Sequence, residues 1–200
     1  MRLRMFLRAC AAVALLPACG GEGGGGAAAS FDIERVSLTS AGLEAAGGSC
    51  FINGYDVSAD GRYVAFASSG SGLVADDRNQ AYDVFVKDLQ TGAIERVSVS
   101  SAGLEADGSS EAPSISADGR YVVFHSTATN LAVPDNDTAI EVFLRDRQLG
   151  TTECVTVAPG GGASTTGGMR PSISADGRYV AFLGGDDLAA GDADGRPDIL

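Results

Sequence analysis

The stretch SADGRYVAF, Ser58 to Phe66, decides how this chain is read, because it returns as SADGRYVVF (Ser116–Phe124) and again as SADGRYVAF (Ser174–Phe182). The leading serines are 58 residues apart both times, and a fixed internal period is the signature of a repeat architecture. Asp-Gly between apolar runs marks a tight hairpin, since glycine enters the φ > 0 region that such a turn needs. The Tyr-Val-Ala/Val-Phe run behind it is apolar without alternation, as expected of a strand covered on both faces. Each phrase therefore predicts a hairpin feeding an inner strand.

Working outward, a short strand precedes each turn: YDVS at Tyr55–Ser58 and PSIS at Pro113–Ser116 and Pro171–Ser174. After the inner strand come a polar loop and a third strand, DVFVKDL (Asp83–Leu89) or EVFLRDR (Glu141–Arg147). A turn at Thr91-Gly92 or Leu149-Gly150 leads to a fourth, AIERVSV (Ala93–Val99) or TECVTV (Thr152–Val157), whose alternating polarity suits an outer edge. Four short strands per fixed period is the pattern of a propeller blade. The expectation is an all-β fold of four-stranded antiparallel blades over residues 31–200. Blades fall at 55–99 and 113–157, and a third at 171–200 stops inside its third strand, giving about three in all. Closed propellers typically have 4–8 blades, so the reading is an incomplete ring and a truncated frame. The segment FDIERVSL (Phe31–Leu38), with its loop to residue 48, stands ahead of the repeats as a lone closing strand.

PSISADGRYVAF, followed by DVFVKD, a Thr-Gly turn and ERVS, resembles the TolB-like β-propeller repeat of bacterial envelope and secreted proteins. In that repeat a Ser-x-Asp-Gly turn precedes a Val/Ile-Ala-Phe strand and an aspartate-led third strand. The resemblance runs from Ile33 to the end of the chain. It implies a binding scaffold, with some relatives fused to hydrolase domains, and fold alone does not settle which.

Ahead of the repeats, Arg2, Arg4 and Arg8 precede an apolar run, Ala9–Ala18, broken at Pro17. That is the layout of an export signal over residues 1–18, too short to span a membrane. Leu16-Pro17-Ala18-Cys19 resembles the lipobox of bacterial lipoproteins, which implies a lipid anchor on Cys19 and a glycine-rich tether at 19–30. The alternative is cleavage after Ala27-Ala28-Ala29 and a secreted chain. The expected location is the periplasmic or outer face of the envelope, or beyond it. The whole chain carries a net charge of −12. The leader holds three arginines and no acid, which leaves 11 basic and 26 acidic residues, a net of −15. Such a charge repels nucleic acid and suits metal ions or basic partner surfaces. Beyond Cys10 and Cys19 lie Cys50, read in a loop, and Cys154, read in a strand a whole blade away. Export permits their pairing, but two unpaired thiols are expected.

One pattern carries candidate chemistry. Asp77, Asn79 and Asp83 share the spacing D-x-[DN]-x3-[DE] with Asp135, Asp137 and Glu141, and with Asp192, Asp194 and Asp198. Alternate oxygen donors on a loop can converge on a hard cation, and calcium is the one cofactor the sequence suggests. The competing reading, that these side chains cap loop amides, is preferred because each loop offers three ligands where calcium takes six to eight. For catalysis there is little. His125 is the single histidine and its repeat equivalents are Ala67 and Leu183, so it reads as a packing or surface residue. No G-x-S-x-G elbow and no Cys-x-x-Cys pair occurs. Asp60, Asp118 and Asp176 read as turn residues, with Arg62, Arg120 and Arg178 pairing neighbouring carboxylates or loop carbonyls. The expected function is non-enzymatic binding of envelope proteins or a ligand, with self-association through open blade edges. The rival is the propeller part of an envelope hydrolase or lyase.

Overall fold

Each Asp-Gly turn is closed by its own side chains, and this local chemistry sets the strands in order. Ser58 Oγ donates to Asp60 Oδ1 (2.6 Å), Asp60 Oδ1 accepts the Arg62 N–H (3.0 Å), and Ser58 Oγ accepts the Tyr63 N–H (2.9 Å). The same bonds close the turns at Ser116 and Ser174. The Ser58 hydroxyl, then the Arg62 N–H, hold the Asp60 carboxyl below the usual range, and Asp118 and Asp176 follow the same pattern.

The computed structural model describes residues 12–15, 32–46, 50–133, 139–162, 164–191 and 196–200. Its first sheet pairs β1 (Ala12–Leu15) with β2 (Asp32–Arg35). The first blade is β3 (Cys50–Val57), β4 (Tyr63–Ser68), β5 (Asp83–Asp88) and β6 (Ile94–Arg96), hydrogen-bonded in that order. The second is β7 (Ser110–Ile115), β8 (Tyr121–Ser126), β9 (Glu141–Asp146) and β10 (Thr151–Cys154). In the third, β11 (Gly168–Ile173), β12 (Val180–Gly184) and β13 (Asp198–Ile199) are paired. Every pairing is antiparallel and no helix occurs among the described residues.

The boundaries differ from the sequence reading at both ends of a blade. The first strand starts earlier, at Cys50 rather than Tyr55, and at Ser110 and Gly168 rather than at the prolines. It continues through a bulge between Cys50 and Tyr55, Glu111 and Ser114, or Met169 and Ser172. Proline is tolerated on an edge strand or at a bulge, so Pro113 and Pro171 do not begin the strand. Cys50 accordingly lies in β3 and not in a loop. The fourth strand is shorter, ending at Arg96 or Cys154. There a hydroxyl replaces the ladder: Ser98 Oγ accepts the Val84 N–H (3.2 Å) and Thr156 Oγ1 the Val142 N–H (3.1 Å). The segment read as a lone closing strand is shorter too, and pairs with β1.

β4 and β8 are buried nearly throughout, as the unbroken apolar runs imply. One core cluster is shared between blades: Ala65, Val84 and Val86 from the first pack with Val122, Phe124 and Phe143 from the second. A second, Val64, Phe66, Leu73 and Phe85, lies on the other face of the first blade under Val36. Blades are also stitched turn to turn, Ala59 N to Ala117 O (3.1 Å) and Ala117 N to Ala175 O (2.9 Å). Arg62 and Arg120 reach Asp88 and Asp146 at the far end of the third strand, with Nη2–Oδ2 distances of 2.7 and 2.6 Å. Each loop before a blade is tied to the loop after its second strand. Thr129 donates from N (2.7 Å) and Oγ1 (2.8 Å) to Asp107, whereas Thr165 donates from N (2.5 Å) and Oγ1 (2.9 Å) to Asp187.

Candidate functional site

The acids that open the third strands serve the blade. Ser98 Oγ donates to Asp83 Oδ1 (2.6 Å), and Thr156 Oγ1 donates likewise to the buried Glu141. Burial pushes the Asp83 carboxyl up, opposed by the Ser98 hydroxyl and by Arg96.

In the first loop the structure brings Asp77, Asp83 and Glu105 together, with one carboxylate oxygen of each within 4.8 Å of the others. Glu105 was not among the sequence candidates, because it belongs to the next loop and no spacing rule links it to Asp77. A positive charge already stands among these acids. Arg96 Nη1 donates to Asp83 Oδ2 (3.3 Å) and to Glu105 Oε1, and Nη2 to the Asp76 carbonyl (3.2 Å). Asn79 works as a cap: its Oδ1 accepts the Ala81 N–H (2.9 Å) while Nδ2 donates to Asp83 Oδ2 (3.3 Å) and the Ala106 carbonyl (2.9 Å). Burial raises the Asp77 carboxyl. Position 96 is Cys154 in the second repeat; Cys154 forms no disulfide, and its Sγ lies 3.5 Å from Thr156 Oγ1. Asp135, Asp137, Asp192, Asp194 and Cys19 lie outside the described residues, and Asp198 is exposed at the start of β13.

The other grouping lies along the first strands, at the joint between the second and third blades. His125 on β8 accepts the Arg170 N–H at Nδ1 (3.3 Å), and its Nε2 stands 3.8 Å from Glu111 Oε2 on β7. Its imidazole is half-buried, and burial, then the Arg170 charge, pulls its pKa down to about 4. Burial raises the Glu111 carboxyl. Ala112 (φ 49°) and Arg170 (φ 53°) occupy the same bulge position in successive repeats, both in the left-handed region. The Arg170 side chain is exposed. Sequence reasoning passed over Arg170 and Glu111 because each appears once, not in every repeat.

No family model matches the chain, and no curated protein matches it. Among solved structures it is similar to the tricorn protease, at 14% identity over 76% of this chain and 12% of that one, TM-score 0.45. It is similar to a protein described as a TolB from Agrobacterium tumefaciens, at 18% identity over 70% of this chain and 56% of that one, TM-score 0.42. A structure from a study of two prolyl endopeptidases gives 18% identity over 84% of this chain and 24% of that one, TM-score 0.46. The chain spans little more than half of the longest-covered of these and far less of the others. By its own repeat and its own four-stranded sheets, the chain is a run of β-propeller blades, two of them complete and the third described as far as β13, with a repeat that resembles the TolB-like one.

Proposed function

We propose that this protein is a non-enzymatic binding scaffold, exported and anchored by a lipid on Cys19 at the face of a cell envelope. The observation that supports it is how the repeated polar residues are used. Asp60 and Asp118 close turns, Arg62 and Arg120 hold Asp88 and Asp146, and Asp83 and Glu141 hold the fourth strand. What repeats is therefore architecture, and the residues that differ between repeats form the surface offered to a partner. A net charge of −15 after the leader favours envelope proteins with basic surfaces and disfavours nucleic acid. Calcium has a weak case at the first acidic loop, where Arg96 already supplies a cation.

The anchor is tested by fractionation of expressing cells with a labelled fatty acid. The wild type is expected in the membrane fraction and labelled, and Cys19→Ala in the soluble fraction without label. A wild-type chain found wholly soluble and unlabelled overturns the anchor.

A further inference from the structure

We propose that two copies of this chain join head to tail, the third blade of each docking on the first blade of the other, so that the blades of both close one ring. This rests on the export reading above, because the leader must be removed, and it names a second copy as partner. The chain holds one kind of joint twice, and the two halves of that joint once more, apart. Between successive blades a tyrosine ring meets the next turn's glycine: a Cβ on Gly119 would lie 2.2 Å from Tyr63, and one on Gly177 2.5 Å from Tyr121. The third tyrosine, Tyr179, is 65% exposed, and a Cβ on the first glycine, Gly61, would meet nothing within 4 Å. The apolar faces divide in the same way. On the third blade Ala181 and Ile199 are exposed, whereas their equivalents Ala65, Val84, Val123 and Val142 are fully buried. On the first blade Tyr55 and Val57 are exposed, whereas Pro113, Ile115, Pro171 and Ile173 are buried.

What already sits on the first blade indicates what belongs there. Ile33 to Ser37 repeats Ile94 to Ser98 residue for residue. Val36, fully buried, packs with Val64, Phe66 and Phe85 of the first blade, as Val97 packs with Val122, Phe124 and Phe143 of the second. The Ile94 N–H donates to Ser40 Oγ (3.3 Å) as the Thr152 N–H donates to Ser101 Oγ (2.8 Å). Lys87 Nζ donates to the Thr39 carbonyl (3.2 Å) as Arg145 Nη1 donates to that of Ser100 (3.3 Å). Residues 33–38 therefore lie on the first blade as the fourth strand of a preceding blade. Among the described residues, β13 of the third blade has β12 on one side and no strand on the other. Docked head to tail, the second copy supplies that fourth strand. Ser37 then stands beside Asp198 as Ser98 stands beside Asp83, and the Ala175 N–H meets the Ala59 carbonyl as the Ala117 N–H meets that of Ala175. The strand now paired with β2 is β1, which lies in the leader, so cleavage leaves β2 for β13 of the second copy. A heterologous contact closes into a ring or grows into a filament. Two copies of three blades close at six, within the 4–8 of closed propellers.

The full chain is expressed with its leader, purified in detergent and weighed by intact mass spectrometry, which is expected to find the leader gone. Ala59→Cys/Ala175→Cys, at two exposed positions, is treated with a short bis-maleimide beside the two single variants. The double variant is expected to give a two-chain product and the single variants none, because the joint sets residue 59 of one copy against residue 175 of the other. Dilution returns single chains, in which Gly61 is unopposed. In the double background, Tyr179→Ala is expected to raise the concentration for half-maximal cross-linking at least about tenfold. Leu149→Ala, at a leucine as exposed as Tyr179 but on a turn of the second blade, is expected to leave it unchanged. Single chains at every concentration, the same product from a single variant, or undiminished cross-linking with Tyr179→Ala overturns the joint. A ladder of longer products overturns the closed pair. A retained leader overturns the export reading and this joint with it, whereas failure of the joint in the processed chain leaves the anchored scaffold standing.

Discussion

His125 stays neutral in the fold because burial, and then the charge of Arg170, disfavour the imidazolium. The folded state holds it at about 4, against 6.5 for an ordinary histidine. Folding therefore excludes a proton, so the stability is whole above pH 6.5 and is lost as pH falls from 6.5 to 4. At about 1.4 kcal/mol per unit, the loss is at most about 3.5 kcal/mol. Glu111 works in the opposite sense: burial raises its carboxyl, so its contribution is present at low pH and lost as pH rises through its folded pKa. His125→Leu, which installs the residue found at Leu183, is expected to flatten the acid side of the stability curve. Thermal melts at pH 4.5 and 7 measure this, and a variant as acid-sensitive as the wild type refutes it. The histidine was visible in the sequence as an oddity among alanine and leucine. Its neighbours were not: Glu111 stands directly opposite it in the pairing of β7 with β8, and Arg170 reaches it from the bulge of β11 in the next blade.

At the scale of the element, the turn was the most legible part of the chain, and one of its roles was still hidden. Gly61 and Gly119 have nearly the same backbone, φ 71° and 73°. A Cβ on Gly61 would meet nothing within 4 Å, whereas on Gly119 it would lie 2.2 Å from the Tyr63 ring of the preceding blade. Gly177 receives Tyr121 in the same way. Arg62 lies 4.8 Å from the centroid of the Tyr63 ring and Arg147 4.6 Å from it. Gly61→Ala is expected to cost about 1–2 kcal/mol from the backbone alone. Gly119→Ala should cost about 1–3 kcal/mol more, because the ring must move. Equal losses in urea melts would mean that Tyr63 does not need the glycine. Strand number and order followed from period and polarity, but strand ends did not. Proline and hydroxyl side chains end or extend a strand through partners that lie in other segments. For the same reason the acid at Asp83 was grouped with Asp77 and Asn79 upstream, while its shortest bond is to Ser98 downstream.

For the whole molecule, the decisive fact is that the core does not respect blade boundaries. Phe124 is fully buried in the second blade, within a cluster that holds Ala65, Val84 and Val86 of the first. Phe124→Ala should cost about 3–5 kcal/mol and lower amide-exchange protection in β4 and β5 as far as in β8 and β9. Full protection retained in β4 and β5 would show the blades to be separate folding units. The fold was readable from the sequence because each repeat states it again, whereas the joints were not, since each is written half in one repeat and half in the next. The loop ties at Asp107–Thr129 and Thr165–Asp187 extend this point to history. They occupy equivalent positions with acid and hydroxyl residue exchanged. No single substitution turns one into the other, because changing either end first leaves two threonines or two aspartates face to face. The first repeat, with Ser49 and Ser71 at the same two positions, carries neither arrangement. The tie is therefore not a single inherited pair: if the repeats descend from one ancestral unit, at least one of the two arrangements arose after the units separated.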